Sequence, residues 1–81
     1  MFIDENDEIL LVGKTGKISK KNINEIKVDG KLEVNKNKYY IYLNRWYRLP
    51  HVYDTMADAA VALFTFIKEC NNRGIISNEK K

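Results

Sequence analysis

The clearest structural pattern in the chain lies in residues 55–73, TMADAAVALFTFIKECNNR. Its apolar residues recur at alternating spacings of four and three, which is the period of one face of an α-helix. The stripe that they form consists of Met56, Ala60, Leu63, Ile67 and Cys70, flanked by Ala59, Phe64 and Phe66. We therefore predict a C-terminal helix over residues 55–73 that buries this stripe against the rest of the chain.

Both ends of this stretch carry residues that favour helix boundaries. Thr55 followed three residues later by Asp58 approximates a capping box at the N-terminus. Lys68 and Arg73 complement the negative end of the helix dipole. Gly74 is suited to the left-handed position that commonly follows a helix.

The segments before the helix alternate between short apolar runs and turn residues, a pattern that favours antiparallel strands. Asp29-Gly30 is a typical type I′ hairpin turn, and Pro50 should end the last strand. The predicted strands are residues 8–13 (EILLVG), 25–28, 31–34 (KLEV), 38–43 (KYYIYL) and 46–49 (WYRL). The predicted fold class is α+β, an antiparallel sheet of three to five strands packed on one C-terminal helix.

Two-residue turns at Lys36-Asn37 and Asn44-Arg45 would determine which residues share a face of this sheet. The face predicted to cover the helix carries Leu32, Val34, Tyr39, Ile41, Leu43, Trp46 and Arg48. The face predicted to meet solvent carries Lys31, Glu33, Lys38, Tyr40, Tyr42, Tyr47 and Leu49. Three tyrosines on a solvent face form an amphipathic patch that is typical of interaction surfaces.

Length and composition indicate one domain, residues 1–76, with residues 77–81 as a flexible C-terminal tail. The acidic start does not resemble a signal peptide, and no apolar run could span a membrane, so we expect a cytoplasmic protein. Abundant Lys, Asn and Ile fit an AT-rich genome, such as that of a low-GC bacterium or its mobile elements. The net charge is +3, and the lysines of residues 14–21 fit an ordinary solubilising surface.

Catalytic and metal sites have no support in the sequence. Residues 12–15, VGKT, look like the end of a P-loop, but such a loop needs a glycine where Glu8 stands, which favours a simple turn. His51 and Cys70 are the only histidine and the only cysteine, too few for a zinc site, and no disulfide can form within the chain. We expect no enzyme activity, no metal and no cofactor.

Residues 53–62, YDTMADAAVA, follow two predicted strands joined by a tight turn. This arrangement resembles the aromatic-Asp-Thr-x-x-acid-Ala-Ala passage of the plant ethylene-response-factor DNA-binding domain and of the arm-binding domain of phage-type tyrosine recombinases. The resemblance covers residues 30–73. It implies a three-stranded sheet, backed by one helix, that enters the major groove of DNA. The residues that would then face DNA are Lys38, Tyr40, Tyr42, Tyr47 and Arg45.

Two functions are compatible with these features. The first is a small nucleic-acid-binding module, preferably for duplex DNA, that uses the exposed sheet face; a single-strand version would stack bases on its tyrosines. The second is a protein-binding accessory or inhibitor protein of a phage or mobile element, with a possible homodimer through the same face. In either case the predicted binding residues are Lys38, Tyr40, Tyr42, Arg45, Tyr47 and Arg48.

Overall fold

The protein, seen in a computed structural model that describes residues 2–75, has one antiparallel sheet and one C-terminal helix. The strands are β1 (Glu8–Gly13), β2 (Ile18–Asn22), β3 (Lys31–Asn35), β4 (Lys38–Tyr42) and β5 (Tyr47–Arg48), and the helix is α1 (Met56–Asn72). Their order across the sheet is β2-β1-β5-β4-β3, so the short β5 joins two hairpins. The predicted α+β class is confirmed, with five strands. The predicted tail, residues 77–81, lies outside the described residues.

The helix begins and ends as its sequence predicts. The Thr55 hydroxyl accepts a hydrogen bond from the Asp58 amide at 3.1 Å, as a capping residue should. At the other end Gly74 has a φ of 78°, and the Ile75 amide donates to the Cys70 carbonyl at 2.8 Å. These contacts form a Schellman motif, which satisfies carbonyl groups of the last turn.

The buried face of α1 differs from the predicted stripe. Its buried residues are Ala59, Ala62, Phe66 and Cys70. Met56 and Phe64 are 61% and 64% exposed, so the prediction that Met56 and Ala60 line the core was wrong. Apolar residues occur on more than one side of this helix, and periodicity alone therefore could not select the side that packs.

The β3–β4 hairpin has the predicted register. Leu32 pairs with Ile41 and Val34 with Tyr39, across a two-residue turn. The turn residues Lys36 and Asn37 have φ values of 52° and 64°, as a type I′ turn requires.

The β4–β5 connection is one residue longer than predicted, and this exchanges the two faces of β5. Its loop contains Asn44, whose side-chain oxygen accepts hydrogen bonds from the Trp46 and Tyr47 amides at 2.7 and 3.1 Å. Tyr42 consequently pairs with Arg48, rather than Ile41 with Arg48. A shift of one residue moves every side chain of a strand to the opposite face.

Four face assignments are therefore corrected. Leu49 is buried in the core, and Tyr47 is half-buried and packs against the core. Arg48 lies on the face opposite the helix, and Trp46 is 56% exposed in the loop. We call the face opposite the helix the outer sheet face; it still carries Tyr40 and Tyr42, as predicted.

The predicted hairpin over residues 25–34 does not form. Residues Ile23–Glu25 make a 3-10 turn, and Val28 inserts into the core. The Asp29 amide donates to the Leu43 carbonyl at 2.6 Å, and Gly30 has a φ of 69°. Gly30 thus leads the chain into β3 at a positive φ, and the segment before it packs into the core through Val28 and does not pair as a strand. β1 pairs on one side with β2, a segment to which the sequence analysis assigned no structure.

A single hydrophobic core lies between the sheet and α1. The buried members are Ile3, Ile9, Leu11, Ile23, Val28, Ile41, Leu43, Leu49, Ala62, Phe66 and Cys70. The N-terminal residues close one end of it: the Phe2 ring meets the Phe66 ring edge-on, with centroids 5.8 Å apart. The Phe2 and Ile3 amides both donate to the Glu69 carboxylate at 2.9 Å. No helix in the described part of the chain has the length and apolar character needed to cross a membrane.

Candidate functional site

The ends of two hairpins meet at one corner of the sheet. Because β1 pairs directly with β5, Val12 lies opposite Arg48 and Gly13 lies opposite Tyr47. The turn after β1 therefore comes beside the loop before β5. This brings lysines of the N-terminal hairpin next to residues 45–48. We call the resulting surface the basic corner; it consists of Lys14, Lys17, Lys21, Arg45, Trp46 and Arg48.

The turn between β1 and β2 places two of these lysines. The Gly13 amide donates to the Lys17 carbonyl at 2.9 Å, and the Gly16 amide donates to the Gly13 carbonyl at 3.0 Å. Gly16 has a φ of 88°, the left-handed position of a three-residue hairpin loop. Lys14 and Lys17 are exposed on either side of it. The predicted turn is confirmed: residues 12–15 lead into a strand, whereas a P-loop leads into a helix.

Trp46 is the aromatic centre of the basic corner. Its indole ring is 56% exposed, with the Lys14 ammonium 5.1 Å and the Arg45 guanidinium 5.9 Å from the ring centroid. Both distances are typical of cation–π contacts. Asn44 fixes the loop beneath the ring, because its amide nitrogen also donates to the Lys27 carbonyl at 2.6 Å. The indole is therefore held in place with much of its surface in solvent.

Two shallow depressions flank Trp46, one towards each face of the sheet. One has a volume of about 500 Å³, and its lining includes Lys14, Lys17, Lys21, Ser19 and Tyr47. The other has a volume of about 250 Å³, and its lining includes Lys14, Tyr42, Arg45 and Arg48. Neither depression has an acidic residue in its lining. Both are therefore suited to anionic ligands.

The cations of the basic corner have no acidic partners among residues 2–75. The ion pairs of this part of the chain use other bases: Lys20, Lys31, Lys38 and Arg73. The positive charges of the basic corner are therefore not compensated by ion pairs within this part of the chain. Clustered like charges of this kind raise the local positive potential and attract anions.

The predicted site residues separate into two groups. Arg45 and Arg48 belong to the basic corner, and Tyr42 lines the depression beside them. The Arg48 guanidinium lies over the Tyr40 ring, 5.1 Å from its centroid. Tyr40 and Tyr42 thus continue the corner onto the outer sheet face. Tyr47 points to the helix side, where the Lys21 ammonium lies 5.7 Å from its ring centroid.

Lys38 is not part of the basic corner. It lies at the other end of β4, where its ammonium group forms an ion pair with Asp54. Hydrogen bonding to Asp54 raises the pKa of Lys38, and the same contact lowers the pKa of Asp54. Its charge is therefore largely compensated within the chain.

Sequence reasoning missed Lys14, Lys17, Lys21 and Trp46 as site residues. The signal for the lysines was their spacing in a short basic block, which we interpreted as solubilising charge. Nothing local indicated that this block lies beside Arg45, because the neighbourhood depends on the pairing of β1 with β5. Trp46 was assigned to the core because of the one-residue error in the register of β5.

The single thiol is not suited to nucleophilic chemistry. Cys70 is 2% exposed, and burial raises its pKa to about 11, so the thiol is neutral near pH 7. His51 is exposed and contacts the Tyr53 ring in a tilted arrangement, with ring centroids 4.4 Å apart. Across residues 2–75, histidine, cysteine and acidic side chains form no group of three or more that could hold a metal ion.

Comparisons of the chain with models of protein families, with characterised proteins and with solved structures found no match. The resemblance based on residues 53–62 therefore stays a prediction. Function has to be inferred from the geometry of the basic corner and of the outer sheet face.

Proposed function

We propose that this protein is a small nucleic-acid-binding module whose preferred ligand is duplex DNA. The observation that carries the proposal is the basic corner, where five cations have no acidic partners among residues 2–75: two lie over a solvent-exposed tryptophan, and the other three line the depressions beside it. Nucleic acids supply a dense row of phosphates, and affinity for them depends mainly on lysines and arginines.

The two parts of the surface would have different tasks. Lys14, Lys17 and Lys21 project from a hairpin and would neutralise backbone phosphates, which sets position without reading sequence. Arg48 lies further in, on the outer sheet face beside Tyr42. An arginine there can donate two hydrogen bonds to a guanine edge in the major groove. The preference for a duplex follows from the resemblance, in which an exposed sheet face enters that groove.

The salt dependence of binding tests this proposal. Fluorescence anisotropy of labelled duplex and single-stranded DNA would be measured with the 81-residue chain at several salt concentrations. If Lys14, Lys17, Lys21 and Arg45 contact phosphates of the duplex while Arg48 contacts a base, the slope of log K against log salt should be about −3 to −4. Lys14→Gln and Arg45→Gln should each make that slope shallower by about one.

Lys36→Gln is the matched control. Lys36 lies in the β3–β4 turn, at the opposite end of β4 from the basic corner, and its substitution changes the net charge by the same amount. It should leave the slope unchanged. Equal losses in all three variants would mean that binding follows net charge alone. No binding of either DNA at low salt would refute the proposal.

A protein-binding accessory or inhibitor protein is the second candidate. It is favoured by apolar side chains on the outer sheet face, where Leu10 of β1 is 50% and Ile18 of β2 is 60% exposed, on the same face as the tyrosines of β4. Under this alternative, Tyr42→Ala should abolish capture of the partner, while Lys14→Gln should have little effect. Complex formation should then survive salt concentrations that dissociate DNA from proteins.

A further inference from the structure

The solvent side of α1 is apolar over the first half of the helix. Ala57, Ala60, Val61 and Phe64 lie opposite the buried residues of the helix, and we call them the outer helix face. Val61 is 66% and Phe64 is 64% exposed. A surface helix normally has polar residues on this side. None of the residues described in the structure covers the outer helix face.

A charged residue lies near each end of the outer helix face. Asp58 is in the first turn of α1 and Lys68 is more than two turns further on, and both are exposed. Neither takes part in an ion pair within residues 2–75. The Lys68 ammonium lies 5.7 Å from the centroid of the Phe64 ring. The face is thus acidic at its N-terminal end and basic at its C-terminal end, so an antiparallel copy of itself would be complementary in charge.

The edges of the sheet are poorly suited to pairing with a second copy. A two-fold contact between two β3 strands, centred on the middle residue, would place Glu33 opposite Glu33. The same contact between two β2 strands would place Lys20 opposite Lys20. Like charges directly opposite one another destabilise strand pairs, and they are a common protection of sheet edges.

We propose that the outer helix face binds the same face of a second copy of the chain, with the two α1 helices antiparallel. Phe64 of each copy would lie beside Val61 of the other, above the small side chains of Ala57 and Ala60. Antiparallel helices also align their dipoles favourably. The arrangement is a two-fold dimer, the commonest symmetry among soluble oligomers.

Apolar and charged contacts can form together in this arrangement. Val61 and Phe64 are symmetric about helix position 62.5, and Asp58 and Lys68 are symmetric about position 63. The two centres differ by half a residue, about 0.8 Å along a helix that rises about 1.5 Å per residue. A single two-fold axis can therefore produce both the Val61–Phe64 contact and the Asp58–Lys68 contact. The outer sheet face is on the far side of the sheet from α1 and stays free in the dimer.

The oligomeric state of the 81-residue chain, without nucleic acid, tests this inference. In sedimentation experiments over a concentration series, the mass should rise from that of the 9.5 kDa monomer towards twice that value. Phe64→Ser should stay monomeric over the same series. Met56→Ser is the matched control, because Met56 is an equally exposed apolar residue of α1 outside the outer helix face. It should leave dimerisation unchanged.

Charge reversal tests the antiparallel direction. Asp58→Lys places two lysines together at each end of the interface and should weaken dimerisation at least about tenfold, a modest effect for a charge repulsion at an interface. Adding Lys68→Asp to the same chain restores opposite charges and should recover the dimer. Circular dichroism of each variant confirms that the helix is intact.

Three results would overturn the inference: a wild-type chain that is monomeric throughout, a dimer that persists in Phe64→Ser, or a double variant that does not regain the dimer. Lys14→Gln, which should weaken DNA binding, should leave the dimer intact. Failure of the dimer and failure of the nucleic-acid proposal are therefore separate outcomes.

Discussion

Replacing Phe66 should reveal how much of the stability depends on the orientation of α1. The ring is fully buried and packs edge-on against Phe2. Truncation of a buried phenylalanine to alanine costs about 3–5 kcal/mol. A domain of 81 residues has a total free energy of unfolding of about 4–12 kcal/mol. Phe66→Ala should therefore remove between about a quarter and all of that stability.

Phe66→Leu is the quantitative test, because it keeps the protein folded. We expect a cost of about 1–2 kcal/mol, between that of a volume-conserving exchange and that of full truncation. With a urea m-value of about 1 kcal/mol/M, the unfolding midpoint should fall by about 1–2 M. Far-UV circular dichroism is the appropriate signal, since Trp46 is already half exposed in the folded state.

Met56→Ala provides the contrast. Met56 belongs to the stripe that periodicity predicts to be buried, but it is 61% exposed. Its replacement should change the free energy of unfolding by less than about 0.5 kcal/mol. A large loss in Met56→Ala together with an unchanged midpoint in Phe66→Leu would show that α1 packs by the other face, and would refute the assignment of the core.

The remaining predictions concern a turn, a thiol and an ion pair. Gly30→Ala should cost about 1–2 kcal/mol in denaturant unfolding, because a φ of 69° is unfavourable for any residue with a Cβ atom. Cys70 should react with a thiol reagent only at the rate of unfolding, since its pKa of about 11 and its burial keep it neutral and shielded; rapid labelling of the folded chain would contradict this. The Asp54 carboxyl should titrate below 3.8 by NMR, because Lys38 lowers its pKa, and Lys38→Gln should return it towards that value. The stabilisation from this pair should be present above pH 3.8 and lost as the pH falls through the lowered pKa.

Local signals in the sequence were sufficient for the helix and for one hairpin. The helix begins at Thr55 because its side-chain oxygen accepts a hydrogen bond from the amide of Asp58. It ends before Gly74 because glycine adopts a positive φ without steric strain. The β3–β4 turn likewise depends on two adjacent residues, Lys36 and Asn37, and its register was predicted correctly. Each of these features involves a few consecutive residues, so its energetics can be read without knowledge of the rest of the chain.

Local signals of this kind did not predict the register of β5 correctly. Asn44-Arg45 looked like a two-residue turn, but the Asn44 side chain bonds two amides beyond it and lengthens the loop by one residue. That single residue moved Arg48 to the outer sheet face and put Leu49 in the core. Which face of a strand is buried depends on its contacts with all the neighbouring strands and the helix. A short stretch of sequence does not specify those neighbours.

Patterns in the sequence were enough to predict the fold class, the helix with its caps, and the aromatic and basic character of residues 38–48. In contrast, the buried side of α1 and the set of charges that meet at the basic corner follow from contacts between distant parts of the chain. Lys14 and Arg45 became neighbours because β1 pairs with β5 across a long chain separation. Such pairing is favoured when the whole arrangement buries the most apolar surface. That surface depends on the entire chain, so the preferences of short segments do not predict it.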